Sequence, residues 1–377
     1  MAGIYIHIPF CKTRCHYCDF YKTVSLPIKS EFLAALAKEV IHWKEEVGSE
    51  IIETIYFGGG TPSLLEISEL EYILNLLSKN FSVANNSELT LEANPDDLNR
   101  DYLKSLKETG INRLSIGIQS FNDDDLRMIN RRHDAKQALA GIKTAQDTGF
   151  ENISIDLLYG LPEQSIEKWQ ANLDQAVLMD VAHISAYHLT YHEGTVLNNY
   201  LKKGKVKELA EELSFDQFKL LIEVLESRGY EHYEISNFAR SGLYSRHNCS
   251  YWNGNKYYGF GPAAHSYDGL IRRWNVSDLN RYLFALNNDE IWWQAETLSP
   301  EDRYNDYIIT TLRTKWGISR SYLESAFDSE IVQYFLSHAQ LFMDSGHMYC
   351  ESRVFRLSYS GLFISDKIME RLFYFKN

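Results

Sequence analysis

The first part of this 377-residue chain, up to about residue 190, alternates short β-branched or aromatic runs with helical patterns, and this alternation constrains the fold most. Strands that alternate with helices are typical of parallel βα units. Six runs have strand character: Ile4–Ile8, Thr54–Phe57, Glu88–Glu92, Arg113–Ile118, Ile153–Leu158 and His183–Leu189. We therefore predict an α/β fold, with a partial (βα)6 barrel over residues 1–200.

The segment Glu31–Glu46, between the first two runs, is predicted to be a helix packed outside the sheet. Its apolar residues recur with the period of an α-helix and form one stripe. That stripe consists of Phe32, Leu33, Leu36, Val40 and Ile41.

The regular alternation of strand and helix patterns ends at about residue 200. Residues 201–295 combine a charged helix, Val206–Arg228, with an aromatic- and glycine-rich stretch, Tyr230–Trp274, which predicts a separate α+β lobe. Residues 296–377 read as three helices, a hairpin-like alternation and a final helix, the pattern of a small winged-helix-like module. Its second helix, Ser319–Phe327, has little basic character for reading a DNA groove, so we expect packing or partner docking.

The charge balance limits the partners of the chain. With 51 acidic and 38 basic side chains, the formal net charge of −13 opposes binding to duplex DNA or to an anionic membrane surface. No uncharged apolar run reaches the roughly 18 residues of a membrane span, and Met1–Tyr5 lacks the features of a signal peptide. We expect a soluble cytoplasmic protein that does not bind nucleic acid.

Three of the five cysteines, Cys11, Cys15 and Cys18, crowd into a short loop directly after the first strand. Disulfides among them would be strained, so reduced thiols that hold a metal fit better. Iron–sulfur clusters usually take four cysteines, and three would leave one iron open to an outside ligand. The alternative is a zinc site closed by His7 or His16. The spacing favours the cluster, because zinc motifs normally consist of two separated pairs.

Polar or glycine residues follow several of the predicted strands. The carboxyl ends of parallel strands meet at one edge of the sheet, where chemistry gathers in such folds. These ends carry Gly58-Gly59-Gly60-Thr61, Glu92, Gln119 and Asp156, which predicts one shared site. The alternatives are a tight turn for the glycines and helix capping for the carboxylates.

Several single residues receive structural interpretations. Cys249 and Cys350 are expected to be small buried hydrophobic residues. His183, His188 and His192 lie around the last strand and are expected to be hydrogen-bonded core residues.

The cysteine spacing, with Tyr5 six residues before Cys11 and the glycine run after the second strand, resembles the radical S-adenosylmethionine superfamily. More narrowly, the chain resembles the oxygen-independent coproporphyrinogen III oxidases and their sister family, the HemW-type haem chaperones. The resemblance extends over almost the whole chain. It is carried by YIHIPFCKTRCHYCDF, YFGGGTPS, LEANPDDL, RLSIGIQSF, SIDLLYGLPEQ, HISAYHLT, YEISNFA and HNCSYW.

This resemblance implies that Cys11, Cys15 and Cys18 hold a [4Fe–4S] cluster whose fourth iron is chelated by S-adenosylmethionine. Reduction of the sulfonium would then cleave a carbon–sulfur bond. The resemblance also implies cofactor contacts from residues near the strand ends. Gly59, Gly60 and Thr61 would face the methionyl end, Glu92 and Asp156 would accept hydrogen bonds from ribose or amine groups, Gln119 and Arg131 would anchor polar ends, and Tyr5 and Tyr17 would pack near the cluster.

Two departures from the oxidase pattern indicate the chaperone type. Phe20 stands where the resembling oxidases carry a fourth cysteine, and Tyr5 lies so near the start that no N-terminal arm is expected. The motif from His247 to Trp252 is similar to the HNxxYW motif of the chaperones. Since imidazole is a natural axial ligand of haem iron, His247 is our candidate for haem contact. The alternative is a buried loop whose polar groups satisfy one another.

The resemblance therefore implies a haem chaperone that delivers haem to acceptor haemoproteins. Its expected partners are haem, the acceptors and an electron donor, with at most peripheral membrane contact through the acceptors. One alternative is a coproporphyrinogen III dehydrogenase-type oxidoreductase of porphyrin biosynthesis, so whether the chain is an enzyme stays open. The other is a zinc-bound structural or interaction module.

Overall fold

The structure is a computed structural model that describes residues 2–376. Six parallel strands form the centre of a twelve-stranded sheet and lie side by side in sequence order. They are β1 (Ala2–Ile8), β2 (Ile51–Gly59), β3 (Ser82–Ala93), β4 (Arg113–Gln119), β5 (Asn152–Tyr159) and β6 (His183–His188). Each of the six predicted runs overlaps one of these strands, so the predicted βα succession is confirmed.

Helices connect these strands, as parallel pairing requires. They are α1 (Lys29–His42), α2 (Lys44–Val47), α3 (Ile67–Asn80), α4 (Arg100–Glu108), α5 (Asp123–Met128), α6 (Ala135–Asp147) and α7 (Ile166–Leu178). Several begin at side-chain caps. Asn99 caps α4, Asp134 and Gln137 form a capping box on α6, and Ser165 caps α7. These caps explain why the helices begin immediately after the loops at the carboxyl ends of the strands.

The next segment adds strands to both edges of the parallel sheet. β9 pairs with β1 in parallel, while β8 pairs with β6 in antiparallel orientation. The elements are α8 (Val196–Lys202), α9 (Glu211–Ser227), β7 (Tyr230–Glu234), β8 (Asn237–Arg240), α10 (Arg246–Trp252), β9 (Lys256–Phe260), β10 (His265–Tyr267), β11 (Ile271–Asn275), α11 (Leu279–Asn287) and β12 (Trp293–Thr297). The sheet therefore runs through the predicted boundary at residue 200, and the domain limits stay predictions.

The last segment has the element order of a winged helix, as predicted. Its elements are α12 (Pro300–Leu312), β13 (Ile318–Ser319), α13 (Arg320–Ala326), α14 (Ser329–Asp344), β14 (Met348–Glu351), β15 (Val354–Leu357), α15 (Tyr359–Phe363) and α16 (Ser365–Leu372). Tyr304, Ile308 and Phe335 belong to a hydrophobic cluster distinct from the main core. None of the helices within residues 2–376 has the length and apolar character needed to cross a lipid bilayer.

Helix α1 buries most of the predicted stripe, but one member of the prediction is wrong. Ile41 is 59% exposed, and the buried face includes Glu39. The Glu39 carboxylate accepts hydrogen bonds from the backbone N–H of Gly261 at 2.7 Å and from Asn275 Nδ2 at 2.6 Å. It also accepts from the Tyr282 hydroxyl and from the indole N–H of Trp292. Burial raises the pKa of Glu39 to about 7, although these donors oppose the shift.

Glu39 therefore ties α1 to the segment that follows β9, through four donors that are far away in sequence. A buried donor without an acceptor costs about 1–3 kcal/mol, so one carboxylate here satisfies several groups that would otherwise be costly.

We expect the substitution Glu39→Ala to lower the free energy of unfolding by about 3 kcal/mol, because it leaves buried donors without an acceptor. Urea denaturation followed by tryptophan fluorescence measures this change. Glu31→Ala is the matched control, because Glu31 is exposed on the same helix. Equal losses of stability in the two variants would contradict the role assigned to Glu39.

Candidate functional site

The carboxyl ends of the parallel strands surround a cavity of about 420 Å³. The strand register brings these ends together: Ile8 lies opposite Gly59, and Asp156 lies between Gly117 and Ser185. Eleven of the thirteen residues predicted to form the site line this cavity. They are Cys11, Cys15, Tyr17, Cys18, Gly59, Gly60, Thr61, Glu92, Gln119, Arg131 and Asp156. Tyr5 and His247 do not line it.

The cysteine loop is held against the strand ends by its backbone. The N–H of Cys11 donates to the carbonyl of Thr23 at 2.9 Å, and the N–H of Thr23 donates to the carbonyl of Pro9 at 2.6 Å. Lys22 Nζ donates to the carbonyl of Cys18 at 2.7 Å. All three thiols are free and line one cavity, Cys11 buried and the other two partly buried. The loop thus presents three sulfur ligands to a common space.

Two hydrogen-bond donors lie beside these sulfurs. Thr61 Oγ1 is 3.4 Å from Cys11 Sγ, and Arg131 Nη1 is 3.5 Å from Cys15 Sγ. Arg131 also donates to the side chain of Asn94 and to the carbonyl of Gly117. Its Nε is buried and has no hydrogen-bond partner among the described residues. Arg131 therefore acts at a thiol, in addition to the ligand contact expected from the sequence.

Burial raises the pKa of the Cys11 and Cys18 thiols. The Thr61 hydroxyl opposes the shift at Cys11, and the cation of Lys22 opposes it at Cys18. Donors and cations near sulfur stabilise thiolates, which are the form that binds metals. Thr61 and Lys22 therefore offset part of the cost of forming thiolates in this buried loop.

The glycine run has a packing role that the sequence did not reveal. Gly59 has a φ of 101°, and a Cβ there would lie 2.5 Å from the His7 ring. A Cβ on Gly60 would lie 2.7 Å from the carbonyl oxygen of Ile8. Only glycine lets the loop after β2 pack this closely against β1 and the start of the cysteine loop.

Two carboxyl groups lie deeper in the cavity. Tyr56 donates its hydroxyl to Glu92 Oε1 at 2.8 Å, and Ser115 Oγ is 3.3 Å from Asp156 Oδ1. Burial raises the pKa of Glu92 to about 7 and that of Asp156 to about 6, while the Arg113 guanidinium opposes both shifts. Tyr56 and Arg113 line the cavity and were missed by sequence reasoning. The only sequence signal for Arg113 is a charged residue at the start of a buried strand.

Gln119 ends β4 with a φ of 71°, in the left-handed region that non-glycine residues rarely adopt. Its side chain is buried and lines the cavity. Such backbone strain is concentrated at functional sites. Tyr17 also lines the cavity, and burial raises its pKa, with the nearby Arg131 opposing the shift.

His247 lies behind the cavity wall. Its Nδ1 is hydrogen-bonded with Thr54 Oγ1 at 2.7 Å, and its Nε2 with the Tyr251 hydroxyl at 2.7 Å. The ring is buried and stacks on Tyr56 with 5.1 Å between ring centroids. Burial lowers the pKa of His247 to about 3, so the ring is neutral. Contact with haem stays a prediction, and it would require one of these hydrogen bonds to break. The residue of this motif that lines the cavity is Asn248.

Tyr5 occupies a similar place behind the wall. Its ring stacks on Tyr56 at 6.1 Å, and its hydroxyl is 3.2 Å from His7 Nδ1. His7 Nε2 is hydrogen-bonded with the carbonyl of Tyr21 at 2.9 Å. Both ring nitrogens of His7 are thus engaged away from the thiols.

The zinc alternative needs a histidine nitrogen as the fourth ligand. His7 has none to offer in this conformation, and His16 Nδ1 is hydrogen-bonded with the carbonyl of Met128 at 2.8 Å. Within residues 2–376, no set of three or more His, Cys, Asp or Glu side chains is spaced for a single metal ion. The bonding of His7 argues against that residue as a fourth zinc ligand. The hydrogen bond of His16 engages only its Nδ1, so the cysteine spacing remains the reason to favour the cluster.

Some of the structural interpretations from the sequence need correction. His183 is buried and bonded to Ser154 and Tyr233, as predicted. The prediction is wrong for His188 and His192, which are exposed and line the cavity mouth. It is also wrong for Cys350, which is exposed on β14. The sequence pattern does not say that the end of β6, with His188, and the segment beyond it, with His192, face solvent.

Comparisons with known protein sequences show the family of this chain. The sequence profile of the radical SAM superfamily matches residues 5–176. The chain is 33% identical to the heme chaperone HemW of Bacillus subtilis over 372 residues, which cover 98% of each chain. It is 35% identical to the heme chaperone HemW of Synechocystis over 345 residues, which cover 87% of this chain and 82% of the relative.

A solved structure has the same fold. The coproporphyrinogen III oxidase HemN of Escherichia coli, described as a radical SAM enzyme, superposes with a TM-score of 0.85 at 23% identity. The match covers 99% of this chain and 90% of that protein. The predicted fold class is therefore confirmed.

We expect His247→Ala to lower the free energy of unfolding by about 3 kcal/mol, because it leaves Thr54 and Tyr251 without their buried partner and opens a void beside Tyr56. Thermal or urea denaturation measures the loss. The cluster content after anaerobic reconstitution should stay at the wild-type level, since His247 does not contact the cysteine loop. His42→Ala, at an exposed histidine of α1, is the control. An unchanged free energy of unfolding in His247→Ala would contradict the role of His247 in supporting Tyr56 from behind the cavity wall.

Proposed function

Because this chain belongs to the HemW family of the radical SAM superfamily, we propose that it is a haem chaperone that delivers haem to acceptor haemoproteins. It would bind a [4Fe–4S] cluster, S-adenosylmethionine and haem. The main support for this proposal is the sequence similarity to the chaperones. It extends over the full length, so it covers both the residues of the cavity and the C-terminal segments. The three thiols on one cavity wall support the cofactor part of the proposal.

The residues of the cavity fit the cluster and its ligand. Cys11, Cys15 and Cys18 would hold three irons and leave the fourth for the amine and carboxylate of S-adenosylmethionine. When bound, the cluster supplies the electron that cleaves a carbon–sulfur bond of the sulfonium. The remaining contacts would come from residues that line the cavity and from Tyr5 behind its wall. Gly59, Gly60 and Thr61 would border the methionyl end, Glu92 and Asp156 would accept hydrogen bonds from amine or hydroxyl groups, Gln119 would anchor a polar end, and Tyr5 and Tyr17 would pack near the cluster.

Several side chains have roles that do not depend on the reaction. Arg131 and Thr61 donate toward sulfur and stabilise the thiolates that bind iron. Tyr56 donates to Glu92 and fixes the orientation of that carboxyl group. The stack of His247 on Tyr56 holds this tyrosine in place from behind. The cavity is thereby preorganised for a ligand with both cationic and hydroxyl groups.

Other parts of the proposal rest on the sequence and the relatives' names. Haem and haem-accepting proteins are the partners. We further propose that the protein uses an electron donor, that it contacts membranes only peripherally through the acceptors, and that it is cytoplasmic. The division into residues 1–200, 201–295 and 296–377 is also part of the proposal. Phe20, in place of a fourth cysteine, supports the chaperone over the oxidase.

An anaerobic assay tests the proposal against oxidase activity. Reconstituted protein is incubated with dithionite, S-adenosylmethionine and coproporphyrinogen III, with a coproporphyrinogen oxidase as the positive control. In parallel, the haem-loaded protein is mixed with an apo-haemoprotein, and transfer is followed by the absorption of the acceptor. We expect transfer of haem and no stoichiometric protoporphyrinogen. Stoichiometric protoporphyrinogen would overturn the chaperone assignment, and so would the absence of haem binding.

The pKa of Glu92 gives a pH prediction. Below about pH 7 this carboxyl group is mainly protonated, and above it the group is ionised and a better acceptor. We expect the affinity for S-adenosylmethionine to fall about tenfold from pH 8 to pH 6, because the ionised fraction falls by about that factor. Equilibrium dialysis of the reconstituted protein measures the affinity.

The control is Glu92→Gln, which cannot ionise. It should bind the cofactor more weakly at pH 8 and lose most of the pH dependence. A Glu92→Gln variant with the wild-type profile would exclude Glu92 as the titrating group.

A further inference from the structure

The mouth of the cavity has two sides that differ from its polar interior. One side is the end of the cysteine loop, with Asp19 and Phe20. The other is the end of β6, with Tyr187 and His188, and the segment that follows it, with His192. Phe20 is 64% exposed and Tyr187 is 42% exposed. Two aromatic faces and two accessible imidazoles therefore border the same opening.

Haem iron needs an axial ligand with an available lone pair, and histidine is the commonest such ligand. His183 and His247 do not meet this requirement, because each is buried and uses both ring nitrogens in hydrogen bonds. The His192 side chain is 47% exposed. Its Nδ1 faces a carboxylate, which leaves Nε2 as the nitrogen that a metal could approach. Accessibility and a free nitrogen thus distinguish His192 from the buried histidines.

A carboxylate lies on the other nitrogen of the same ring. His192 Nδ1 is 3.5 Å from Asp19 Oδ2. Histidines that bind metals usually have such a partner, which selects the tautomer and leaves Nε2 free for the metal. Asp19 directly follows Cys18, so this pair joins the two sides of the cavity mouth.

From this arrangement we infer that His192 is the axial ligand of haem iron and that haem binds across the cavity mouth, with Asp19 orienting the imidazole. The inference rests on the proposed function, because it assigns the site at which the chaperone holds haem. Phe20 and Tyr187 border the opening and offer apolar faces to the flat macrocycle. A haem bound at this mouth would cover the cavity that the three cysteines and the two carboxyl groups line.

Hemin titration of the full-length, anaerobically reconstituted protein tests the assignment. Affinity and the optical and EPR spectra of ferric haem are measured for the wild type, His192→Ala and Asp19→Asn. His42→Ala is the matched control, because His42 is exposed and does not line this cavity. Iron and sulfide are quantified in every variant, so that cluster loss is not mistaken for haem loss.

We expect His192→Ala to weaken haem binding about tenfold or more and to change the ferric haem spectrum, while added imidazole restores the spectrum of a nitrogen-ligated haem. Asp19→Asn should weaken binding less, and His42→Ala should match the wild type. A His192→Ala variant with wild-type affinity and spectrum would overturn the assignment. His188→Ala and His247→Ala are titrated in parallel. A changed spectrum that imidazole does not restore would also overturn the assignment, and so would loss of the nitrogen-ligated spectrum in either of these variants but not in His192→Ala. Failure of the wild type to bind haem would instead refute the proposed function itself.

Discussion

The structure depends on the contact between the end of β1 and the loop that follows β2. β1 lies inside the sheet and pairs in parallel with both β2 and β9, so its position is fixed from two sides. The register sets Ile8 opposite Gly59, and the N–H of Gly60 donates to the carbonyl of Ile8 at 2.8 Å. The cysteine loop leaves β1 at this point. Because no side chain separates the two segments, the three thiols are brought over the same cavity as the carboxyl ends of the other strands.

Buried carboxylates join the later segments to this framework. Glu39 of α1 accepts from donors in the region after β9, and Glu88 of β3 accepts the backbone N–H groups of Arg246 and His247 at the start of α10. These contacts bridge more than 150 positions in sequence. They place the motif that contains His247 directly behind Tyr56, which bonds to Glu92. The segment beyond residue 200 thus supports, from behind, the cavity formed by the first six strands, and it contributes Asn248 to the lining.

The sequence was sufficient to predict what depends on local pattern. The six strands and the cysteine loop were predicted correctly because each is encoded by a short periodic run or by spacing. Contacts between distant segments could not be predicted in this way. In the sequence, Glu39 is one of several charged residues of a helix, and its buried partners are not visible. Arg113 is a charged residue at the start of a strand, and its proximity to Asp156 and Glu92 appears only in the structure. Ile41 was assigned to the buried stripe because the apolar pattern continued, but it lies on the solvent side of the last turn of α1, next to the buried Glu39 and Val40.

The central physical claim is that Cys11, Cys15 and Cys18 bind a four-iron cluster through three irons and leave the fourth for S-adenosylmethionine. Mössbauer spectroscopy of protein reconstituted with ⁵⁷Fe under anaerobic conditions, before and after addition of the cofactor, tests this claim most directly. We expect about one quarter of the iron signal to shift on addition of the cofactor, while the other three irons stay tetrahedral and sulfur-bound. A spectrum in which all irons are equivalent and unaffected by the cofactor, or in which no cluster is present, would contradict it.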